Sequence, residues 1–68
     1  MMIFATLQPG YVTVMTRAES EDGSTVGDLH DEVKPGGHFG NVPYAVLRQA
    51  GSGQHNYEEV VRRAADNQ

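Results

Sequence analysis

Asp28-Leu29-His30-Asp31-Glu32 is the densest group of His and acid side chains in the chain. Its oxygens could attract Mg²⁺ or Ca²⁺ weakly. On a helix Asp28 and Glu32 share one face, with Asp31 beside them and His30 pointing elsewhere, so a solvated helix face accounts for the same residues. The nearby Asp22-Gly23 does not make an EF-hand: with Gly23 as the sixth loop residue, the first would be Ala18 and the twelfth Leu29. His30, His38 and His55 are widely spaced and form no HExxH arrangement. No metal and no cofactor are expected. Gly51-Ser52-Gly53-Gln54 precedes a helical pattern, where a phosphate could sit. It lacks the GK[ST] ending of a P-loop, and Glu58 and Glu59 in the helix's first turn would repel the anion. It reads as a flexible linker. Ser52 is not a nucleophile elbow, because G-x-S-x-G needs a residue on each side between Ser and Gly. No nucleophile–base–orienter set can be assembled. The expectation is a protein without catalysis.

The clearest positioning element is the stretch from His55 to Gln68. Asn56 suits an N-cap, and Glu59 stands three residues on, where a capping-box carboxylate belongs. Tyr57, Val60, Val61 and Ala64 fall at i, i+3, i+4 and i+7, one apolar stripe on a helix. Glu58–Arg62 and Glu59–Arg63 are i,i+4 pairs with the acid N-terminal to the base. Such a helix docks through one face and stays wet on the other. Its stripe is the candidate partner-binding surface.

Residues 2–7 and 11–18 predict two strands, the second alternating Tyr11, Thr13 and Met15 with Val12, Val14 and Thr16. Pro9-Gly10 occupies the two central positions of a type II turn, so a β-hairpin is expected. Glu19 to Ser24 is a polar loop. Val26, Leu29 and Val33 then take up a helical period, with Thr25 and Asp28 offering an N-cap and a capping-box acid. Pro35 disfavours helix at Lys34 and Gly27 weakens it, so this central helix is short. Residues 35–41 form a flexible connector with Phe39 as a core candidate. Residues 43–51 are ambiguous. Pro43 and Gly51 punctuate a helix, but a two-stranded hairpin alone is marginal in water. On that ground Tyr44-Ala45-Val46-Leu47 is read as a third strand. The fold class is α+β: a small antiparallel sheet on an N-terminal hairpin, packed by a short central helix and a C-terminal amphipathic helix.

Sixty-eight residues make one small domain, 1–68, without cysteine and hence without disulfides or a Cys-based zinc site. A core of this size seldom supplies more than roughly 3–5 kcal/mol, so a partner or self-association is expected to add stability. Nine acids against five bases give a net charge of -4, and six of the acids lie between Glu19 and Glu32 with no Lys or Arg among them. That balance argues against nucleic acid and anionic membranes, whose binding rests on Lys and Arg. The apolar start, residues 1–7, is too short for a signal peptide or a membrane span. Location in the cytoplasm is therefore expected.

Met1, Ile3-Phe4, Thr6-Leu7 and Gly10, followed by Val12-Thr13-Val14 and Thr25-Val26-Gly27-Asp28-Leu29, resemble the opening of a ubiquitin-like β-grasp domain. The resemblance covers about half of the chain. The second half departs from it by ending in a helical pattern, and the Gly-Gly terminus of the conjugating members is missing. It implies a non-covalent protein-binding module.

The expected function is non-catalytic binding of another protein, of the kind performed by accessory or inhibitory subunits. The partner would be basic or present an apolar groove, and the chain would form a homodimer. The alternative is a small nucleic-acid-binding regulator, with residues 43–67 as a helix-turn-helix-like unit and Arg48, Arg62 and Arg63 as contacts.

Overall fold

The first two elements are apolar, aromatic and β-branched runs whose alternate residues are buried. In the computed structural model, which describes residues 1–17 and 29–66, β1 (Met2–Gln8) and β2 (Tyr11–Arg17) form an antiparallel hairpin. Its ladder closes at Gln8 and Tyr11, leaving Pro9-Gly10 as the whole loop. Gly10 has φ 86°, as the second central residue of a type II turn requires. The hairpin is the one expected.

Two short edge strands complete the sheet. β3 (His30–Val33) pairs with β2, and β6 (Gly53–Asn56) pairs with β1, giving the antiparallel order β3-β2-β1-β6. Between them lie a small hairpin of β4 (His38–Phe39) and β5 (Val42–Pro43), then helix α1 (Tyr44–Ala50). Helix α2 (Tyr57–Asp66) follows β6 directly. The chain thus leaves one edge of the sheet at β3 and returns at the other with β6. The crossing segment and α2 together supply the covering layer.

One sheet face carries Ile3, Ala5, Val12, Val14, Thr16 and Val33, all buried. Val42, Val46, Leu47, Val60 and Ala64 close over it from β5 and the two helices. Thr16 is the one buried polar side chain among the described residues. Its hydroxyl accepts from the Leu29 N–H at 3.1 Å, and its own N–H donates to the Leu29 carbonyl at 2.9 Å, so its polar groups are satisfied.

Three expectations are corrected. First, residues 30–33 are strand β3, where a short central helix was read; the residues from Thr25 to Asp28 lie outside those described. Fewer than three turns containing Gly27 would nucleate poorly, whereas an extended 30–33 satisfies the open backbone edge of β2. Second, residues 44–50 are helix α1, not a third strand. With β3 and β6 flanking the hairpin, no strand is needed there, and the local punctuation decides. Gly51 ends α1 at φ 91° and donates its N–H to the Leu47 carbonyl at 3.1 Å. Third, neither segment read as a flexible connector is structureless: residues 53–54 begin β6, and 38–39 form β4.

The connector is ordered by a second Pro-Gly turn. Gly37 donates to the Lys34 carbonyl at 2.8 Å around Pro35-Gly36, with Gly36 at φ 86°. The β4–β5 turn at Gly40-Asn41 is then locked by α2. The Asn41 N–H donates to the Tyr57 hydroxyl at 3.3 Å, and the Phe39 and Tyr57 rings meet edge to face at 6.3 Å. A Cβ on Gly40 would overlap the Tyr57 hydroxyl, and φ there is 57°. Gly40→Ala should therefore cost about 1–3 kcal/mol through backbone strain alone, with the overlap adding to it. The penalty should be smaller in a Tyr57→Phe background, where the struck oxygen is gone. Urea denaturation of the four chains of this double-mutant cycle measures the coupling; a coupling of zero would mean that the turn and Tyr57 are independent.

Candidate functional site

Helix α2 starts as its sequence dictates. The Asn56 side chain accepts from the Glu59 N–H at 3.2 Å, the capping contact that shields one of the helix's open donors. The Tyr57 N–H donates to the Met1 carbonyl at 2.9 Å, fastening the helix to the start of β1. Neither i,i+4 pair closes among the described residues; Glu58 instead meets the Met1 ammonium, with both carboxylate oxygens at 3.2 Å. Both partners are exposed, so the pair adds little stability.

The stripe expected to bind a partner divides between two tasks. Val60 and Ala64 are buried in the chain's own core, and Tyr57 is half-buried against the β4–β5 turn. Val61 and Ala64 also line an open groove of about 470 Å³ between α1 and α2. Its other walls are Asn41, Pro43, Ala45, Val46 and Ala65. The groove exists because the facing residues are small: Ala45 and Ala65 remain exposed where longer side chains would close it. A second, shallower depression shares Ala45 and runs on to Tyr44, Arg48 and Gln49. Sequence reasoning missed Pro43, Ala45, Val46 and Ala65. Reading 43–50 as a helix, which Pro43 and Gly51 signalled, would have brought Pro43, Ala45 and Val46 opposite α2.

Arg48, Arg62 and Arg63 are exposed, and among the described residues none makes an ion pair. Arg48 donates to the Tyr44 hydroxyl at 3.1 Å. The helix-turn-helix reading of 43–67 is corrected: α1 and α2 are separated by β6, which is bound into the sheet through Met2 to Ala5. The two helices are not joined by a tight turn.

Among the described residues the opposite sheet face carries no helix. Phe4 and Met15 sit directly opposite each other there and remain about 37% and 47% exposed. Thr6 and Thr13 form the next pair, and Gln54 and His30 flank the first. At the sheet's edge beyond β6, the Ser52 hydroxyl accepts from the Leu7 N–H at 2.9 Å. The His55 ring Nε2–H donates to the Gly51 carbonyl at 2.7 Å, closing the α1–β6 connection.

Compared with protein-family models, curated proteins and solved structures, the chain matches none. Among the described residues no three His, Asp or Glu side chains gather as metal ligands, and no helix is long and apolar enough to cross a membrane. In β3 the alternation of a strand puts His30 and Glu32 on one face and Asp31 on the other. Asp28 lies outside the described residues. Calorimetric titration with Zn²⁺, Mn²⁺ and Ca²⁺ should show no submicromolar binding; a submicromolar site abolished by His30→Ala would contradict this placement.

The Glu58 carboxyl is held below its ordinary range, first by a hydrogen bond from its own backbone N–H and then by the Met1 ammonium, against a weaker effect of lost hydration. A carboxyl lowered by folding stabilises the native state above its unfolded pKa, and that contribution disappears as pH falls through the folded value. Thermal midpoints taken from neutral to acid pH should therefore fall more steeply for the native chain than for Glu58→Gln. Parallel curves would show that the carboxylate's contacts have no thermodynamic weight.

Proposed function

We propose that this chain is a non-catalytic protein-binding module that takes an apolar feature of its partner into the groove between α1 and α2. The observation that carries the reading is the groove itself: an open trough of about 470 Å³, walled largely by small apolar side chains from β5 and the two helices. A protein partner fits it better than a small molecule, because Asn41 is the one polar side chain among the described residues of its lining and the trough is open rather than enclosed. An accessory or inhibitory subunit working in the cytoplasm is the role that such a surface suits. The β-grasp resemblance of the first half points to the same class of function.

Nucleic acid is disfavoured by the charge of -4 and by the loss of the helix-turn-helix geometry. Fluorescence anisotropy with DNA and RNA should show no saturable binding at moderate salt. Micromolar, salt-sensitive binding that disappears in Arg48→Ala would displace the protein-binding reading. The groove is tested by a photo-crosslinking residue at position 65, used in the native host. Discrete protein adducts should form and should be lost when Ala45→Glu places a charge in the trough. Adducts indifferent to that change would move the binding surface elsewhere.

A further inference from the structure

We infer that Asp31 closes the β3 edge of the sheet: its carboxylate caps the mid-strand N–H that an added strand would need, and so keeps a second copy of this chain from pairing there. The register decides which groups face outward. The Thr16 N–H donates to the Leu29 carbonyl at 2.9 Å, which makes Thr16–Leu29 a bonded position of the β2–β3 ladder. Bonded and non-bonded positions alternate in an antiparallel pair. Val14–Asp31 and Val12–Val33 are therefore bonded, and the backbone groups of His30 and Glu32 turn away from β2. Among the described residues no strand lies beyond β3. An edge of this kind is a ready template for pairing with another chain.

The outward groups are largely taken. The Glu32 N–H donates to Asp31 Oδ1 at 2.9 Å, so the central donor of the edge is already bound. Just past the strand, the Lys34 carbonyl accepts from the Gly37 N–H at 2.8 Å, and Pro35 has no N–H to offer. Among the described residues that leaves His30 as the one residue of β3 with both outward backbone groups open, too short a run for a ladder. The position of Asp31 fits a guard and not a core residue. It alternates with Val33 on the covered face, opposite the buried Val14, where an apolar side chain would extend the core. An exposed carboxylate stands there instead, with no ion pair among the described residues. A charge at a core-facing position of an edge strand is one of the ways natural sheets avoid joining edge to edge.

Amide hydrogen exchange, followed by NMR and corrected for the intrinsic rate of each sequence, reads the cap directly. Asp31→Asn keeps an acceptor oxygen and removes the charge; Asp31→Ala removes both. The Glu32 amide should keep its protection in Asp31→Asn and lose roughly tenfold in Asp31→Ala, while the Val12 and Val14 amides stay protected in both and show that the sheet is intact. Sedimentation equilibrium reads the consequence. Asp31→Ala should associate at least about tenfold more tightly than the native chain, and Asp31→Asn should behave as the native chain does. Adding Glu32→Pro to Asp31→Ala removes the outward N–H at a position where an edge strand tolerates proline, and should return association to the native level. Equal Glu32 exchange in the native chain and Asp31→Ala would overturn the cap. So would unchanged association of Asp31→Ala, or association of Asp31→Asn as tight as that of Asp31→Ala, which would make charge the barrier. Association that survives Glu32→Pro would overturn it too, placing the contact away from the β3 edge.

Discussion

At Tyr57 three pieces of chain that are remote in sequence are held together. Its N–H is bound by the carbonyl of Met1, its ring lies edge-on to Phe39, and its hydroxyl accepts from Asn41 above a glycine that leaves room for it. These contacts fix the start of α2 relative to both the sheet and the β4–β5 hairpin. Because β5 runs straight into α1, they also fix the distance between the two helices. The groove is a by-product of that spacing: α2 is held by its first turn, and Ala45, Ala64 and Ala65 do not fill what remains.

The sheet is asymmetric in the same way. Its inner face is closed by branched aliphatic residues, which pack to high density on a pleated surface. Its outer face mixes Phe4 and Met15 with threonines and amides, a composition that tolerates water without needing it. With ten apolar residues in the buried cluster among the described residues, the fold has little to spare. Hydrogen bonds from turns and caps therefore matter more here than in a larger domain.

Where the sequence was legible, the interactions were local. The Pro9-Gly10 turn set the hairpin and its register, and Asn56 set the start of α2; each needs only residues a few positions apart. Where it was not, a long-range partner decided. His30 to Val33 carries a weak helical period, but the free edge of β2 recruits it as a strand. Gln54 and His55 show no strand pattern at all, and β6 forms because β1 has a second edge to satisfy. Tyr44 to Leu47 shows the converse: once those two strands are counted, the reason for making it a strand is gone, and Pro43 and Gly51 govern. Of the groove, Val61 and Ala64 could be picked out from the stripe on α2. The α1 side could not, because it required the secondary structure of 43–50 to be right first.

The hydroxyl of Ser52 has a consequence for how the molecule coexists with crowded neighbours. Strand β1 outruns β6: pairing ends at Ala5 and Gly53, while β1 continues to Gln8. A bare continuation next to the exposed Leu7 would be a template on which a foreign strand could grow, the first step toward fibrous aggregation. Ser52 occupies the Leu7 N–H with a single side-chain oxygen and offers no further backbone to extend. One small residue in a glycine-flanked loop thus occupies the donor at which a foreign strand would extend the sheet beside Leu7.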